Sequence, residues 1–140
     1  MSEMTVEDLM TKEVVTLKRN DELVLADQIM SLGRIRHLPV VDDDDGTLVG
    51  IVSQRDLFRS ALLQALGYGR VAEEKLLKAI RVKEVMRSTV ETVSRSTPIR
   101  AAAKRMYDEK IGCLPVIDGE ELVGILTESD FVRHFSEGTQ

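Results

Sequence analysis

The chain repeats one pattern of residues, and this repetition limits what it can fold into more than any other feature. Residues 5–16, TVEDLMTKEVVT, align with residues 81–92, RVKEVMRSTVET, at an offset of 76 positions. The alignment continues through LPVVD and LPVID, after which the offset falls to 74 and Asp56 aligns with Asp130. A repeat at a nearly fixed spacing predicts two copies of one small unit that bury their apolar faces together.

Each copy carries local signals for a strand, a helix, two strands and a second helix. Asn20, Asp21 and Thr97 are typical of helix starts, and Pro98 suits the first helical position. HLPVV and LVGIV are short apolar runs joined through an Asp/Gly turn, which predicts an antiparallel pair of strands. The expected fold is of the α/β (α+β) class. It has two pseudosymmetric βαββα repeats that pack on each other, because one such unit alone would be marginally stable.

The expected boundaries along the chain follow from the repeat. Residues 1–60 form the first repeat, 61–79 a helical linker and 80–140 the second repeat. The connecting segment, residues 58–79, predicts a helix, a break at GYG (67–69) and a second helical piece.

Composition excludes several classes of function. The net charge of −5, the pI of about 5.1 and the aromatic content of 4% leave neither a basic track nor a stacking platform for nucleic acid. No apolar stretch reaches the length of a membrane span, and the first residues lack the pattern of a signal peptide, so we expect a cytoplasmic protein. The single cysteine, Cys113, cannot close a disulfide within the chain.

A hydroxyl residue precedes an aspartate by three positions in both copies, as Ser53 before Asp56 and as Thr127 before Asp130. This spacing is typical of a capping box, in which the hydroxyl accepts a backbone N–H bond and the acid reaches back to the cap residue. Both pairs are therefore expected to open the second helix of their repeat. An ionised aspartate only accepts hydrogen bonds, so the same carboxylate is also suited to hold hydroxyl groups of a ligand.

The whole pattern resembles a tandem pair of CBS domains, the repeat first recognised in cystathionine β-synthase. The resemblance rests on an apolar strand ending near Met-Thr, a helix, LPVVD, a turn and Gly-Ile-Val-Ser-x-x-Asp, in this order and twice, from Met4 to about Phe135. It implies repeats packed through their sheets, which leave two clefts related by pseudosymmetry. Such clefts bind adenosine-containing ligands such as AMP, ADP, ATP or S-adenosylmethionine, and the pairs dimerise into discs.

By the same resemblance, each motif aspartate holds the ribose hydroxyls of one ligand, beside the free N–H groups at the helix start. The first predicted set of ligand-binding residues, which we expect to bind phosphate more strongly, is Thr127, Asp130, Arg55, Arg36, His37, Ile35, Met10 and Val15. The second predicted set is Ser53, Asp56, Ile111, Gly112, Cys113 and Met86.

The expected preference for the first predicted set is electrostatic. Arg36, His37 and Arg55 supply positive charge to it, whereas the matching residues of the second repeat are neutral and Glu91 adds an acid to the second predicted set. Each of the three cations has the alternative interpretation of a solvated surface charge, and each apolar residue in the sets that of plain core.

The sequence thus predicts a regulatory module that senses an adenosine-type ligand by binding and performs no chemistry. No nucleophile, base and orienting acid can be assembled, and DDDDG at 42–46 is interpreted as a solvated turn rather than a metal-binding loop. We expect no metal, no required cofactor, no nucleic-acid or membrane partner, a homodimer and a regulated protein of unknown identity. The alternative is a scaffold that dimerises without a ligand, its Ser/Thr-x-x-Asp motifs serving only as helix caps.

Overall fold

The structure, a computed structural model, describes residues 3–33, 35–65 and 70–137. In chain order its elements are α1 (Val6–Leu9), β1 (Leu17–Lys18), α2 (Leu23–Gly33), β2 (His37–Val41), β3 (Leu48–Ser53), α3 (Gln54–Ala65), α4 (Arg70–Ala79), a 3-10 turn (Val82–Glu84), β4 (Val93–Ser94), α5 (Ile99–Glu109), β5 (Cys113–Asp118), β6 (Glu121–Thr127) and α6 (Glu128–Ser136). The predicted break at 67–69 lies outside the described residues. Of the helices within them, none is long and apolar enough to cross a bilayer.

The described residues form two three-stranded sheets of the same topology. In one sheet β1 runs parallel to β2, which is antiparallel to β3; in the other β4 runs parallel to β5, which is antiparallel to β6. His37 pairs with Ser53 in the first sheet, and Cys113 pairs with Thr127 in the second. The predicted α+β class and the βαββα order of each repeat are therefore confirmed.

Contacts group the chain into two units. Unit 1 comprises residues 1–14 and 91–140, and unit 2 comprises residues 15–90. Each unit therefore combines the sheet of one repeat with the opening segment of the other repeat, that is, residues 5–14 in unit 1 and 81–90 in unit 2. The expected repeat boundaries along the sequence stay a prediction.

The opening segments begin with a helical turn rather than with the strand expected before Met-Thr. In unit 1, the carboxylate of Asp8 accepts the N–H of Thr5 at 2.8 Å, which closes the turn of α1. The N–H of Val6 donates to the carbonyl of Thr97 at 2.9 Å and fixes this turn to the loop before α5. Residues 82–84 form the equivalent 3-10 turn in unit 2. The prediction of a strand here was wrong because the acid three positions on favours a capped turn.

The first long helix of each repeat begins later than the sequence predicts. Helix α2 begins at Leu23, while the side chain of Asn20 donates to an aspartate of the following turn and Asp21 accepts a backbone N–H within its own turn. Helix α5 begins at Ile99, so that Pro98 is its N-cap residue rather than its first residue. The polar residues before α2 therefore stabilise the chain reversal and not the helix itself.

Each unit has its own apolar core, to which its opening segment contributes. The core of unit 2 includes Leu17, Leu23, Ala26, Met30, Leu38, Val40, Val52, Leu57, Leu77 and Val82. The core of unit 1 includes Val6, Leu9, Met10, Val93, Ala102, Met106, Leu114, Val116 and Leu126. Burial of these side chains supplies the main stabilisation of a fold of this size, and removal of an opening segment would uncover the core that it completes.

Two glycines let the opening segments approach the last strand of each sheet. A Cβ atom on Gly50 would lie 2.6 Å from Sδ of Met86 and 3.0 Å from the carbonyl oxygen of Arg87. A Cβ atom on Gly124 would lie 2.5 Å from Sδ of Met10. Because glycine has no side chain, each opening segment can lie close to the strand that leads into the motif aspartate.

The acidic stretch at 42–46 forms the predicted turn between β2 and β3. The carboxylate of Asp42 accepts the N–H of Asp44 at 2.9 Å, and Gly46 takes a φ of 74° that glycine tolerates without strain. Within the described ranges, no group of three or more His, Cys, Asp or Glu side chains is arranged to hold a metal ion.

Candidate functional site

In unit 1 the motif aspartate, Asp130, lies in the first turn of α6 with 2% of its surface exposed. Its Oδ2 accepts the N–H of Thr127 at 2.8 Å and the hydroxyl of the same residue at 3.4 Å. Its Oδ1 accepts the hydroxyl of Thr11 at 2.8 Å and Nη2–H of Arg133 at 3.0 Å. Donors from unit 1 itself therefore saturate both oxygens.

In unit 2 the motif aspartate, Asp56, lies in the first turn of α3 with 9% of its surface exposed. Its Oδ2 accepts the N–H of Ser53 at 3.3 Å, while Oγ of Ser53 accepts the N–H of Asp56 at 3.1 Å. The guanidinium of Arg87 donates through Nε at 3.2 and 3.3 Å and through Nη2 at 3.1 Å. The predicted capping box is confirmed, and an unpredicted arginine covers the carboxylate.

The protonation of Asp56 follows from these contacts. Burial opposes ionisation, but the hydrogen bonds from Arg87 and Ser53 and the charge of the guanidinium outweigh it. The pKa of Asp56 therefore lies below its ordinary value. The carboxylate is ionised at neutral pH, as an acceptor of ligand hydroxyl groups must be.

The cation beside the aspartate comes from a different element in the two units. Arg87 belongs to the opening segment of unit 2, and the residue at the matching position of unit 1 is Thr11, which offers a neutral hydroxyl. In unit 1 the cation is Arg133, three residues after Asp130 on α6. Among the described residues, Arg59 on α3, which matches Arg133, is exposed and forms no ion pair with the motif aspartate of unit 2.

The three cations of the first predicted set all lie in unit 2, near the start of α3. Arg36 and Arg55 are exposed, and the carbonyl of Arg36 accepts the N–H of Gln54 at 2.7 Å. His37 is half-buried and opens β2 opposite Ser53. The backbone of unit 2 thus brings these three residues to the end of β3 and the first turn of α3.

The apolar residues of the predicted sets differ in exposure. Met10 is buried in unit 1, where Ile111 packs against the same core. Met86 and Ile35 pack against the core of unit 2. Val15 is exposed. Four of these five side chains therefore contribute to a core, the alternative interpretation given above.

Two residues of the second predicted set line a groove in unit 1. Ile111 and Gly112 contribute to a depression of about 570 Å³ between the end of α5 and the start of α6, together with Tyr107 and Lys110. The carbonyl of Gly112 accepts the N–H of Glu128 at 3.3 Å, which fixes one side of this groove to α6.

The third unit 1 residue of the second predicted set, Cys113, is buried. Burial raises the pKa of its thiol to about 12. A thiol with such a pKa is protonated at neutral pH and is a poor nucleophile. The residue therefore acts as a small apolar side chain at the start of β5.

Two contacts alter the electrostatic argument for ranking the predicted sets. Glu91 pairs with Arg105, whose Nη2 lies 3.4 Å from Oε1 of the acid. Asp56 has its own cation in Arg87. The acidic neighbour is thus partly neutralised and the second predicted set is not without positive charge, so the ranking keeps only part of its basis and stays a prediction.

The predicted sets omit three residues that hold the motif aspartates: Thr11, Arg87 and Arg133. Thr11 and Asp130 are 119 positions apart, and Arg87 and Asp56 are 31 apart. No local pattern conveys contacts over such separations. The repeat was the one sequence signal for these two residues, because Thr11 and Arg87 each come directly after the methionine that aligns between the two opening segments.

A family model described as the CBS domain matches residues 6–62 and 82–137. The chain belongs to the CBS domain family. Each matched range contains one motif aspartate, so the chain is a CBS pair, as its repeated motifs predict.

Curated relatives of this CBS pair include long and short proteins. A homoserine O-acetyltransferase of Methanococcoides burtonii is 32% identical over 134 residues, which cover 95% of this chain and 24% of the relative. A CBS domain-containing protein of Dictyostelium discoideum is 32% identical over 128 residues, which cover 91% of this chain and 88% of the relative. The chain therefore spans about a quarter of the length of the acetyltransferase and most of the length of the second relative.

Two solved CBS pairs similar to this one carry adenosine compounds. The CBS domain pair of protein MJ0100, in complex with 5′-methylthioadenosine and S-adenosyl-L-methionine, is 29% identical with a TM-score of 0.77, over 99% of this chain and 100% of that chain. CBSX2 of Arabidopsis thaliana, in complex with AMP, is 28% identical with a TM-score of 0.77, over 97% of this chain and 98% of that chain. CBS pairs of this fold thus bind AMP and S-adenosylmethionine.

Proposed function

We propose that this CBS pair is a regulatory module that binds AMP, ADP, ATP or S-adenosylmethionine and performs no catalysis. The observation that carries the proposal is its similarity, over nearly the whole chain, to CBS pairs that hold AMP or S-adenosylmethionine. The motif aspartate at a helix start in each unit supports the proposal, because a carboxylate accepts hydrogen bonds from two neighbouring ribose hydroxyls.

In this proposal, Asp56 and Asp130 hold ribose, and Arg36, His37 and Arg55 contact phosphate. Because internal donors saturate both carboxylates, a ribose must replace at least one of these donors. The exchange lowers the net affinity, since each hydrogen bond that the ligand gains is offset by one that the protein loses.

The saturation of both aspartates favours a second candidate function. A scaffold that binds no ligand needs its buried carboxylates satisfied from within, and this arrangement is present in both units. In that function, the Ser/Thr-x-x-Asp motifs only cap α3 and α6.

Thermal unfolding with and without ligand distinguishes the two functions. A ligand at a hundred times its Kd adds about 2.7 kcal/mol to the stability of the folded state, which raises Tm by several degrees. We expect AMP or S-adenosylmethionine to raise Tm, and GMP, a nucleotide of the same charge with a different base, to raise it less. Equal Tm values with every adenosine compound at millimolar concentration would favour the scaffold. Chromatography of ATP and AMP after incubation tests the absence of catalysis, which any protein-dependent product would contradict.

We also propose that the CBS pair forms a homodimer. Phe58 on α3 and Val132 on α6 occupy matching positions of the repeat and are largely exposed, as is Phe135 one turn further along α6. Large exposed apolar side chains on matching helices are typical of a surface that another protein covers. Sedimentation at micromolar concentration should give twice the chain mass of 15.7 kDa, and Phe58→Glu should shift it toward the monomer. A species of 15.7 kDa alone in the unsubstituted protein would contradict the dimer.

A further inference from the structure

The guanidinium of Arg87 lies as a cover over the carboxylate of Asp56. The side chain of Arg87 is 62% exposed, whereas Asp56 is nearly buried beneath it. Nε contacts both carboxylate oxygens, and Nη2 contacts Oδ1. The positive charge of Arg87 is therefore accessible to solvent on one side and in contact with the carboxylate on the other.

Among the described residues, Arg87 is the one donor to this carboxylate that a ligand can replace without opening the helix cap. The remaining bond, from the N–H of Ser53, belongs to the start of α3. Ribose hydroxyls that bind Asp56 must therefore take the place of the guanidinium. In the described part of the chain, Nη1 of Arg87 has no hydrogen-bond partner within unit 2, so the displaced group is a cation with donors to offer.

The fate of this displaced cation depends on the ligand. A neutral nucleoside breaks the Arg87–Asp56 ion pair and offers the guanidinium no anion in return. A nucleoside phosphate carries an anion on the same ribose, and guanidinium–phosphate pairs form strong charge-assisted hydrogen bonds. The exchange is thus nearly balanced for a nucleotide and unbalanced for a nucleoside.

Unit 1 lacks this device. Its opening segment has Thr11 at the matching position, and its cation, Arg133, donates from Nη2 both to the carbonyl of Leu9 at 3.5 Å and to Asp130 at 3.0 Å. A nucleoside that reaches Asp130 does not release a cation from the opening segment.

We propose that Arg87 makes the Ser53–Asp56 site of unit 2 selective for phosphorylated nucleosides over neutral ones. The inference rests on the proposed function. On binding, the ribose hydroxyls take over Asp56 and the guanidinium turns from the carboxylate to the 5′-phosphate. Arg87 is a specificity-determining residue, distinct from the three cations that the sequence predicts.

Calorimetric titration with AMP and with adenosine tests the inference in the unsubstituted protein and three variants. Arg87→Thr installs the residue that the other repeat has at this position, and Arg19→Thr is the matched control, because it removes the same charge from unit 2 at an ion pair with Asp42. We expect the preference for AMP over adenosine to fall at least tenfold in Arg87→Thr, or about 1.4 kcal/mol, and to stay unchanged in Arg19→Thr. Arg87→Lys, which keeps the charge, should retain part of the preference.

A spectroscopic measurement keeps the test valid if Arg87→Thr folds poorly. In ¹⁵N-labelled protein, the Nε–H signal of Arg87, assigned through Arg87→Lys, should move with AMP toward the position it takes with inorganic phosphate, and adenosine should move it elsewhere. An equal loss of affinity for AMP and adenosine in Arg87→Thr would show a structural clamp and overturn the inference. The same holds if Arg19→Thr changes the preference as much as Arg87→Thr. If neither AMP nor adenosine binds the unsubstituted protein, the inference is overturned, and the proposed function fails with it only if no adenosine compound raises Tm.

Discussion

Asp130 and Asp56 are the same residue of one repeat, held in two different ways. Asp130 is enclosed by a threonine hydroxyl, a cap residue and an arginine of its own helix. Asp56 is held by its cap residue and, among the described residues, by one exposed arginine of the opening segment. Duplication has kept the acid and the cap but not the partners of the acid, so equal motifs do not imply equal binding properties.

The difference also bears on which aspartate a ligand can reach. A ligand that binds Asp130 must displace one of two donors from this buried carboxylate. One donor is a threonine hydroxyl, and the other is an arginine that also donates to a backbone carbonyl. A ligand at Asp56 has to displace one solvent-exposed side chain. Because the guanidinium of Arg87 returns to water when it turns away, this second exchange moves one side chain and leaves the helix cap in place.

The largest expected effect is on the stability of aspartate variants. Asp130→Ala leaves the hydroxyl of Thr11 and the N–H of Thr127, both of half-buried residues, without their acceptor, which should lower the free energy of unfolding by about 3 kcal/mol. Asp56→Ala should cost about 1 kcal/mol, because the freed Arg87 is rehydrated. Urea denaturation measures both values. Asp130→Asn is the control, because its side chain keeps one oxygen that can accept these hydrogen bonds. Equal losses of unfolding free energy in the two alanine variants would show that the two aspartates contribute equally to stability, contrary to the expected difference.

The next effect concerns a feature that the two units share. Gly124→Ala and Gly50→Ala place a Cβ atom within 3.0 Å of a methionine sulfur and at 3.0 Å from a carbonyl oxygen. Both should lose about 2 kcal/mol of unfolding free energy, in the usual range for overpacking. Gly119→Asn, in an open turn with a φ of 66°, is the control and should lose well under half as much. A large difference between the two alanine variants would show that the opening segments are not packed alike.

A smaller effect is expected on affinity. If both aspartates hold ribose, Asp56→Ala and Asp130→Ala should each weaken AMP binding at least tenfold at their own site, since a hydrogen bond to a charged group contributes about 1.5–3 kcal/mol. Calorimetry with AMP measures both losses. A greater loss in Asp130→Ala would support the ranking predicted from Arg36, His37 and Arg55, and a greater loss in Asp56→Ala would reverse it. If neither variant loses affinity for AMP, neither aspartate binds ribose.

The smallest effect is a dependence of stability on acid. The pKa of Asp56 is lower in the folded state than its ordinary value of 3.8, so its ionised form stabilises the fold above that pH. This contribution is lost as the pH falls through the lower, folded-state pKa. The difference in unfolding free energy between the unsubstituted protein and Asp56→Asn should therefore be largest near pH 6 and shrink below pH 3.8. A difference that grows as the pH falls would show that the sign is wrong.

Local signals in the sequence predict most of the fold. HLPVV and LPVID give strands because they are short runs of branched apolar residues beside a turn, and Ser53 and Asp56 give a helix start because a capping box involves only four consecutive residues. The failures at Asn20 and Asp21 have a local cause too, since short polar side chains stabilise turns as well as caps.

Two partners of the aspartates, Thr11 and Arg87, depend on tertiary structure and were therefore beyond the same methods. Thr11 reaches Asp130 only because the first residues of the chain fold into the unit of the second repeat. Arg87 reads in the sequence as one more surface charge beside a core methionine. Its position over Asp56 follows from the hydrogen bonds in the folded structure, where Gly50 allows the opening segment to approach β3.

The placement of the opening segments has a consequence for how such a protein arises and how it can be divided. A gene fragment that ends between the repeats would encode residues 5–14 without the sheet they complete, and would omit the residues 81–90 that complete its own. The single repeat is thus not a transferable part. A chain with one repeat would have to complete its core either with its own opening segment or with that of a second molecule.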